Sequence, residues 1–181
     1  MACGLVSIST AEACDEPVGG IYKSYIAEYA TLAFTVSGKK VTGLTGALLD
    51  YNYLLDKSPY YNAVGEKPTL RSHLLAQESF MKFSSNAAAA DAADDVKSCC
   101  KLVLIHLFEN GQVRFQGIQF TTAAKTALRV STEECKATVS EYSDVSSGES
   151  RVEIKFNSKS TNIVVGDEAT LTQAYLDALV A

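Results

Sequence analysis

The 181 residues carry a formal net charge of −5, with 20% charged and 47% hydrophobic side chains, which is the composition of a folded domain and not of a disordered chain. That length suits a single domain, residues 1–181, with one good core. No run of five basic residues exists, which argues against a surface built chiefly to grip nucleic acid, and no apolar run reaches the ~20 residues of a membrane span, so a soluble chain with no membrane partner is expected.

The opening MACGLVSISTAEACDEP, with Cys3 and Cys14, has no basic residue ahead of its short apolar stretch and does not read as a secretory leader. Five cysteines cannot all pair within one chain, so reduced thiols and assembly in a cytoplasm are expected. GGIYKSYIAEYA (19–30) alternates in part and reads as β, and FTVSGKKVTGLTG (34–46) reads as a short hairpin around Ser37-Gly38. Leu48 to Leu55 and Ser72 to Phe83 are strand-like and are joined by a loop, Asp56 to Thr69, that contains Pro59, Gly65 and Pro68. Loops of that length are uncommon in compact domains unless they act, the alternative being a mobile surface loop. Tyrosine is favoured in contacts between proteins, so Pro59, Tyr60, Tyr61 and Asn62 are the candidate oligomer-interface residues.

SSNAAAADAADDVKSCC (84–100) predicts a helix capped by Ser85 or Asn86, with Ala89, Ala92, Ala93, Val96 and Cys100 on its buried face and Asp91, Asp94 and Asp95 in solvent. The carboxylates lack the alternation and the glycine turn of a calcium loop. KLVLIHLFE (101–109) then meets Asn110-Gly111, the sequence signal for a two-residue turn, and QVRFQGIQF (112–120) returns. In that register Phe108 faces Val113 and His106 faces Phe115, placing Leu104, His106, Phe108, Val113 and Phe115 on the core face. Ile105, Leu107, Arg114 and Gln116 fall on a mixed face suited to partial cover. Gly117 breaks the alternation as a bulge would. STEECKA (131–137) reads as a connector, ATVSEYSD and SRVEIKFNS as a second hairpin around VSSGES, and DEATLTQAYLDALVA (167–181) either as a short helix capped by Thr170 with Leu171, Tyr175 and Ala178 on one face or as an extended tail.

Chemistry-bearing residues are sparse. His106 lies between apolar neighbours on a strand, His73 is in another segment, and Cys99-Cys100 are adjacent, whereas zinc sites space their thiolates by two to four residues. A Cys-His nucleophilic pair needs a third group to orient the base, and the spacing offers none. No catalytic, cofactor-binding or metal residue and no cofactor is therefore expected.

The order of elements predicts a mainly β chain, a β-sandwich or partial barrel with one flanking α-helix. MACGL with Cys14, DEPVGGIYKSYIAEY, VTGLTG, the strand-helix-hairpin block from Ser72 to Phe120 and the closing VEIKF together resemble virion structural proteins of tailed phages that infect Bacteroidetes, over most of the chain. The helix followed by KLVLIHLFENGQVRFQG is similar in layout to the tail-tube fold. The resemblance implies a non-enzymatic subunit of the virion tail or neck, assembled in the host bacterial cytoplasm into a hexameric or other high-order ring or tube, with extended termini. Its partners would be further copies of itself, other tail, neck or capsid proteins, and DNA only in transit, for which an acidic wall would repel phosphate. An auxiliary capsid-decorating protein and, from another class, a small-ligand-binding β-barrel are the rival expectations.

Overall fold

A computed structural model of the chain describes residues 20–50, 69–73, 75–84, 87–144 and 149–180. The first strands are β1 (Ile21–Glu28), β2 (Ala33–Ser37), β3 (Lys40–Thr45) and the two-residue β4 (Leu49–Asp50). After β5 (Thr69–His73) and β6 (Ala76–Ser84) come helix α1 (Ala87–Ser98), β7 (Leu102–Phe108), β8 (Val113–Gln116), β9 (Ile118–Phe120) and β10 (Leu128–Val130). The long strands β11 (Glu133–Asp144) and β12 (Glu149–Lys159) precede β13 (Val164–Gly166) and a short helix α2 (Gln173–Asp177). The fold is mainly β and sandwich-like, and among the described residues no sheet closes into a barrel.

One layer is a seven-stranded sheet in the order β2-β3-β13-β8-β7-β1-β4, and the other a four-stranded sheet in the order β11-β12-β6-β5; β9 and β10 form a separate ribbon. Ile26, Leu102 and Leu104 of the larger sheet meet Met81, Cys135, Val152, Ile154 and Phe156 of the smaller one, with Ala93 and Val96 of α1 in the same core. The other face of the larger sheet is covered too: Tyr25, Val103, Ile105, Leu107, Val113 and Phe115 pack with Ile118, Phe120, Leu171 and Leu176. Strand β7 is therefore buried on both faces, as its unbroken apolar run requires.

The β7–β8 register differs from the sequence expectation by one residue. Leu107 pairs with Val113, His106 with Arg114, and Ile105 with Phe115. Phe108 N donates to Gln112 O at 3.0 Å and Gly111 N to Phe108 O at 3.0 Å, so Glu109, Asn110 and Gly111 make a three-residue turn in which Gly111 alone has a positive φ, 88°. Because side chains alternate, the slip exchanges faces: Val113 and Phe115 lie with Ile105 and Leu107, while Gln116 lies with Leu104 and His106. The two-residue turn with both corners positive occurs instead between β2 and β3, at Gly38 (φ 60°) and Lys39 (φ 63°).

Other expectations shift at their boundaries. Ser72 to Phe83 is not one strand, since His73 pairs with Ala76 and the chain reverses there. STEECKA is largely strand, because β11 begins at Glu133. On α1, Asp91, Asp94 and Asp95 are exposed and Ala93 and Val96 buried, but Cys99 continues the packed stripe while Cys100 is exposed. At Gly117 the strand breaks with φ 94°, and a Cβ there would lie 2.2 Å from Leu102 O, so only glycine lets β8 pass into β9. Of the two readings of the C-terminus the short helix is found, capped by Thr172, whose Oγ1 accepts from Tyr175 N at 3.2 Å; Leu171 and Leu176 are the buried side chains and Tyr175 is exposed. The candidate interface residues Pro59, Tyr60, Tyr61 and Asn62 lie outside the described residues.

Candidate functional site

The face exchange on β7 and β8 brings together a set of polar side chains that the expected register keeps apart. Ser24 on β1, His106 on β7 and Gln116 on β8 are each 0% exposed. Ser24 Oγ lies 2.8 Å from His106 Nδ1, and His106 Nε2 lies 3.0 Å from Gln116 Oε1. A carboxamide oxygen can only accept, so the proton of the ring sits on Nε2 and Nδ1 accepts from the Ser24 hydroxyl. Gln116 Oε1 also accepts from Ser79 Oγ at 2.7 Å, and its Nε2 donates to Gln77 O at 3.3 Å and to Phe156 O at 3.2 Å. Every hydrogen-bonding position of Gln116 is thereby used, and the carboxamide stitches the seven-stranded sheet to β6 and β12 of the smaller one.

A serine, a histidine and a third polar group in line invite comparison with a nucleophilic triad, and the geometry answers it. The third group is a neutral amide, which stabilises an imidazolium far less than a carboxylate would, and neither the serine nor the ring reaches solvent. Burial pushes the His106 pKa down to about 4, against the smaller opposing effect of the Gln116 hydrogen bond, so the ring is neutral at physiological pH. The arrangement holds sheets together and presents no atom to a substrate.

Cys99 and Cys135 are equally unsuited to chemistry. Cys99 Sγ donates to Asp95 O at 3.3 Å, and burial, followed by the nearby Glu28 carboxylate, raises its pKa. Cys135, buried between the sheets, is pushed up to about 12 by desolvation. Nucleophilic cysteines need the opposite shift. Among the described residues no group of three or more His, Cys, Asp or Glu side chains converges as a metal site would require. Beside Cys99 a cleft of about 190 Å³ is lined by Ile26, Ala27, Glu28, Leu49, Val96 and Leu102.

A second polar tie fixes the C-terminal helix. Lys23 Nζ and Tyr25 OH both donate to Asp177 Oδ1, at 2.5 and 2.7 Å. Partial burial raises the pKa of this carboxyl, but the bonds from Lys23 and Tyr25 outweigh it and leave the net shift downward. The same strand thus sends Ser24 into the core between the sheets and Lys23 and Tyr25 to the opposite face, where α2 is anchored.

The surface features suited to contact with another chain are the sheet edges. In the four-stranded sheet, β11 and β5 are the outer strands, and β11 is 12 residues long. Neither has a second partner strand among the described residues, so both present a row of backbone donors and acceptors. No helix among the described residues is long and apolar enough to cross a membrane. No protein-family model matches this chain, and no curated protein or solved structure matches it.

Proposed function

We propose that the chain is a structural subunit that joins copies of itself head to tail into a ring or tube and, following the resemblance noted above, that this assembly belongs to the tail or neck of a tailed phage. The supporting observation is the four-stranded sheet, whose outer strands β11 and β5 have no further partner strand among the described residues. Its strands are antiparallel throughout, so with an even number of them β11 and β5 run in opposite directions. A copy rotated about an axis along the strands would set its β11 antiparallel beside the β5 of its neighbour and continue the ladder, which is a heterologous contact that closes if the rotation divides a circle. Each copy adds about 19 Å of wall, and six would close a ring roughly 37 Å across between backbones.

The outward face of this sheet fits transit better than grip. Arg71, Lys136 and Lys155 alternate there with Glu78 and Glu153, and Lys155 Nζ lies 3.4 Å from Glu78 Oε1. Such interleaved charge offers a polyanion no continuous basic track. The described sheets support this reading over a ligand-binding barrel, because none of them closes into a barrel. Sedimentation velocity over rising concentration, with negative-stain microscopy of the largest species, tests the proposal. Closed rings or stacked rings are the expected outcome. A protein that stays monomeric throughout, and binds instead to preformed capsids, would put the decorating role in its place.

A further inference from the structure

We propose that Asn110 is a site of spontaneous covalent modification, at which the β7–β8 turn converts itself through a cyclic imide to aspartate and isoaspartate. Asn110-Gly111 is the only Asn-Gly pair in the sequence. Both residues are exposed at the tip of the hairpin. Gly111 has no side chain to shield its nitrogen, and a Cβ placed there would meet only the Glu168 carboxylate, at 3.7 Å. Asn110 Oδ1 accepts from Gln112 N at 3.1 Å, which folds the carboxamide forward over the Gly111 peptide.

The step balances without a cofactor. The Gly111 nitrogen gives up its proton to solvent base and attacks Asn110 Cγ; the Cγ–Nδ2 bond breaks and ammonia leaves, closing the imide. Water then opens the ring at Cγ to give aspartate, or at the backbone carbonyl to give isoaspartate, in which the main chain runs through the side-chain carbons. One contact acts as a brake: Gly111 N donates to Phe108 O at 3.0 Å, so reaction proceeds from the fraction of molecules in which the turn has opened. The other described asparagines are poorer candidates. Asn157 is paired within β12 and precedes Ser158, and Asn162 precedes the β-branched Ile163 with its Oδ1 held by Phe120 N at 3.0 Å.

The product alters the hairpin in two ways. A new carboxylate appears next to Glu109 and close to Glu168, and in the isoaspartate form the turn is longer by one main-chain atom at the end of strands whose register places His106 beside Gln116. Aged protein should therefore melt below fresh protein.

The test is storage of the full-length protein in mildly alkaline buffer, with peptide mapping of aspartate and isoaspartate, measurement of released ammonia, and a parallel sample in urea. The expected result is isoaspartate at position 110 ahead of change at Asn157 or Asn162, faster conversion in urea, and loss of the ammonia signal from that position in Asn110→Gln, whose longer side chain forms the imide poorly. Asn110→Asp, folded afresh, separates the effect of charge from that of the lengthened main chain on the melt. Conversion at Asn157 or Asn162 first would overturn the proposal. So would an Asn110 that stays intact in the folded chain after the urea sample has fully reacted.

Discussion

Acidification isolates one buried ring. His106 is neutral in the folded protein and its pKa lies near 4, whereas an unfolded histidine titrates at 6.5. As pH falls below 6.5 the unfolded chain takes up a proton that the folded chain declines, so stability present near neutrality is lost progressively until about pH 4, where the folded ring protonates as well. The gap of roughly 2.5 units, at about 1.4 kcal/mol each, gives a loss on the order of 3 kcal/mol. For a chain of this size that corresponds to a fall of about 6 to 12 °C in melting temperature. Carboxylates, Asp177 among them, also lose stabilisation in acid, so the informative quantity is the difference from His106→Leu, which lacks the titrating ring. Urea denaturation of both proteins at about pH 7, 6 and 5 measures it, and the native protein should fall faster by up to about 1.4 kcal/mol per unit. With only His73 and His106 in the sequence, the ring-proton resonances resolve the two directly. A His106 signal titrating near 6.5, or parallel pH profiles for the two proteins, would refute the sealed relay.

Gln116→Leu should cost about 3 to 5 kcal/mol, because it strands the partners on both sheets at once, while Ser24→Ala should cost only about 1 kcal/mol; equal melts for the two would remove Gln116 from its central place. Gly111→Val should lose about 1 to 3 kcal/mol through strain at a positive φ in otherwise open space. Gly117→Ala, with Leu102 O at 2.2 Å from the new carbon, should leave little folded protein, and the reverse ranking in melts of the two glycine variants would contradict the turn and strand-break geometry. Asp177→Ala should weaken the attachment of α2 by about 1 kcal/mol, since the carboxylate is 41% exposed and screened, and hydrogen exchange should show the loss in α2 and not in β7.

The β1 strand, the β2–β3 hairpin, α1 and the β11–β12 hairpin are legible in the sequence because in each the alternation, the glycine turn or the alanine tract agrees with what packing then demands. The β7–β8 register is not, for a specific reason. Asn-Gly serves a two-residue turn with both corners in the left-handed region, and it equally serves a three-residue turn in which only the glycine is there; local sequence does not choose between them. What chooses is the burial of β7 on both faces, set by the smaller sheet on one side and by α2 and β9 on the other. The unbroken run Leu102 to Leu107 carries that information, since a strand with one solvated face would have alternated. Only the start of edge strand β11 is hidden: Glu133 and Lys136 face water, so its first residues pass for a connector.

The polar relay shows how a register error spreads from structure to chemistry. With Phe115 placed opposite His106 on the hairpin and Gln116 on the other face, the histidine reads as a core residue whose hydrogen-bond partners the sequence does not name. With the register shifted by one residue, His106 and Gln116 lie on one face of adjacent strands, and Ser24, 82 residues from His106, completes the chain of bonds from β1. No spacing rule connects residues that far apart; the connection exists because β1 pairs with β7, which sets Ser24 directly across from His106. The burial that decides its use is equally non-local, since Ser79 and the carbonyls of Gln77 and Phe156 close the site from the second sheet. A histidine whose two partners, Ser24 and Gln116, come from the strands on either side of it, and whose neutral form alone fits, reports that β1, β7 and β8 are in register.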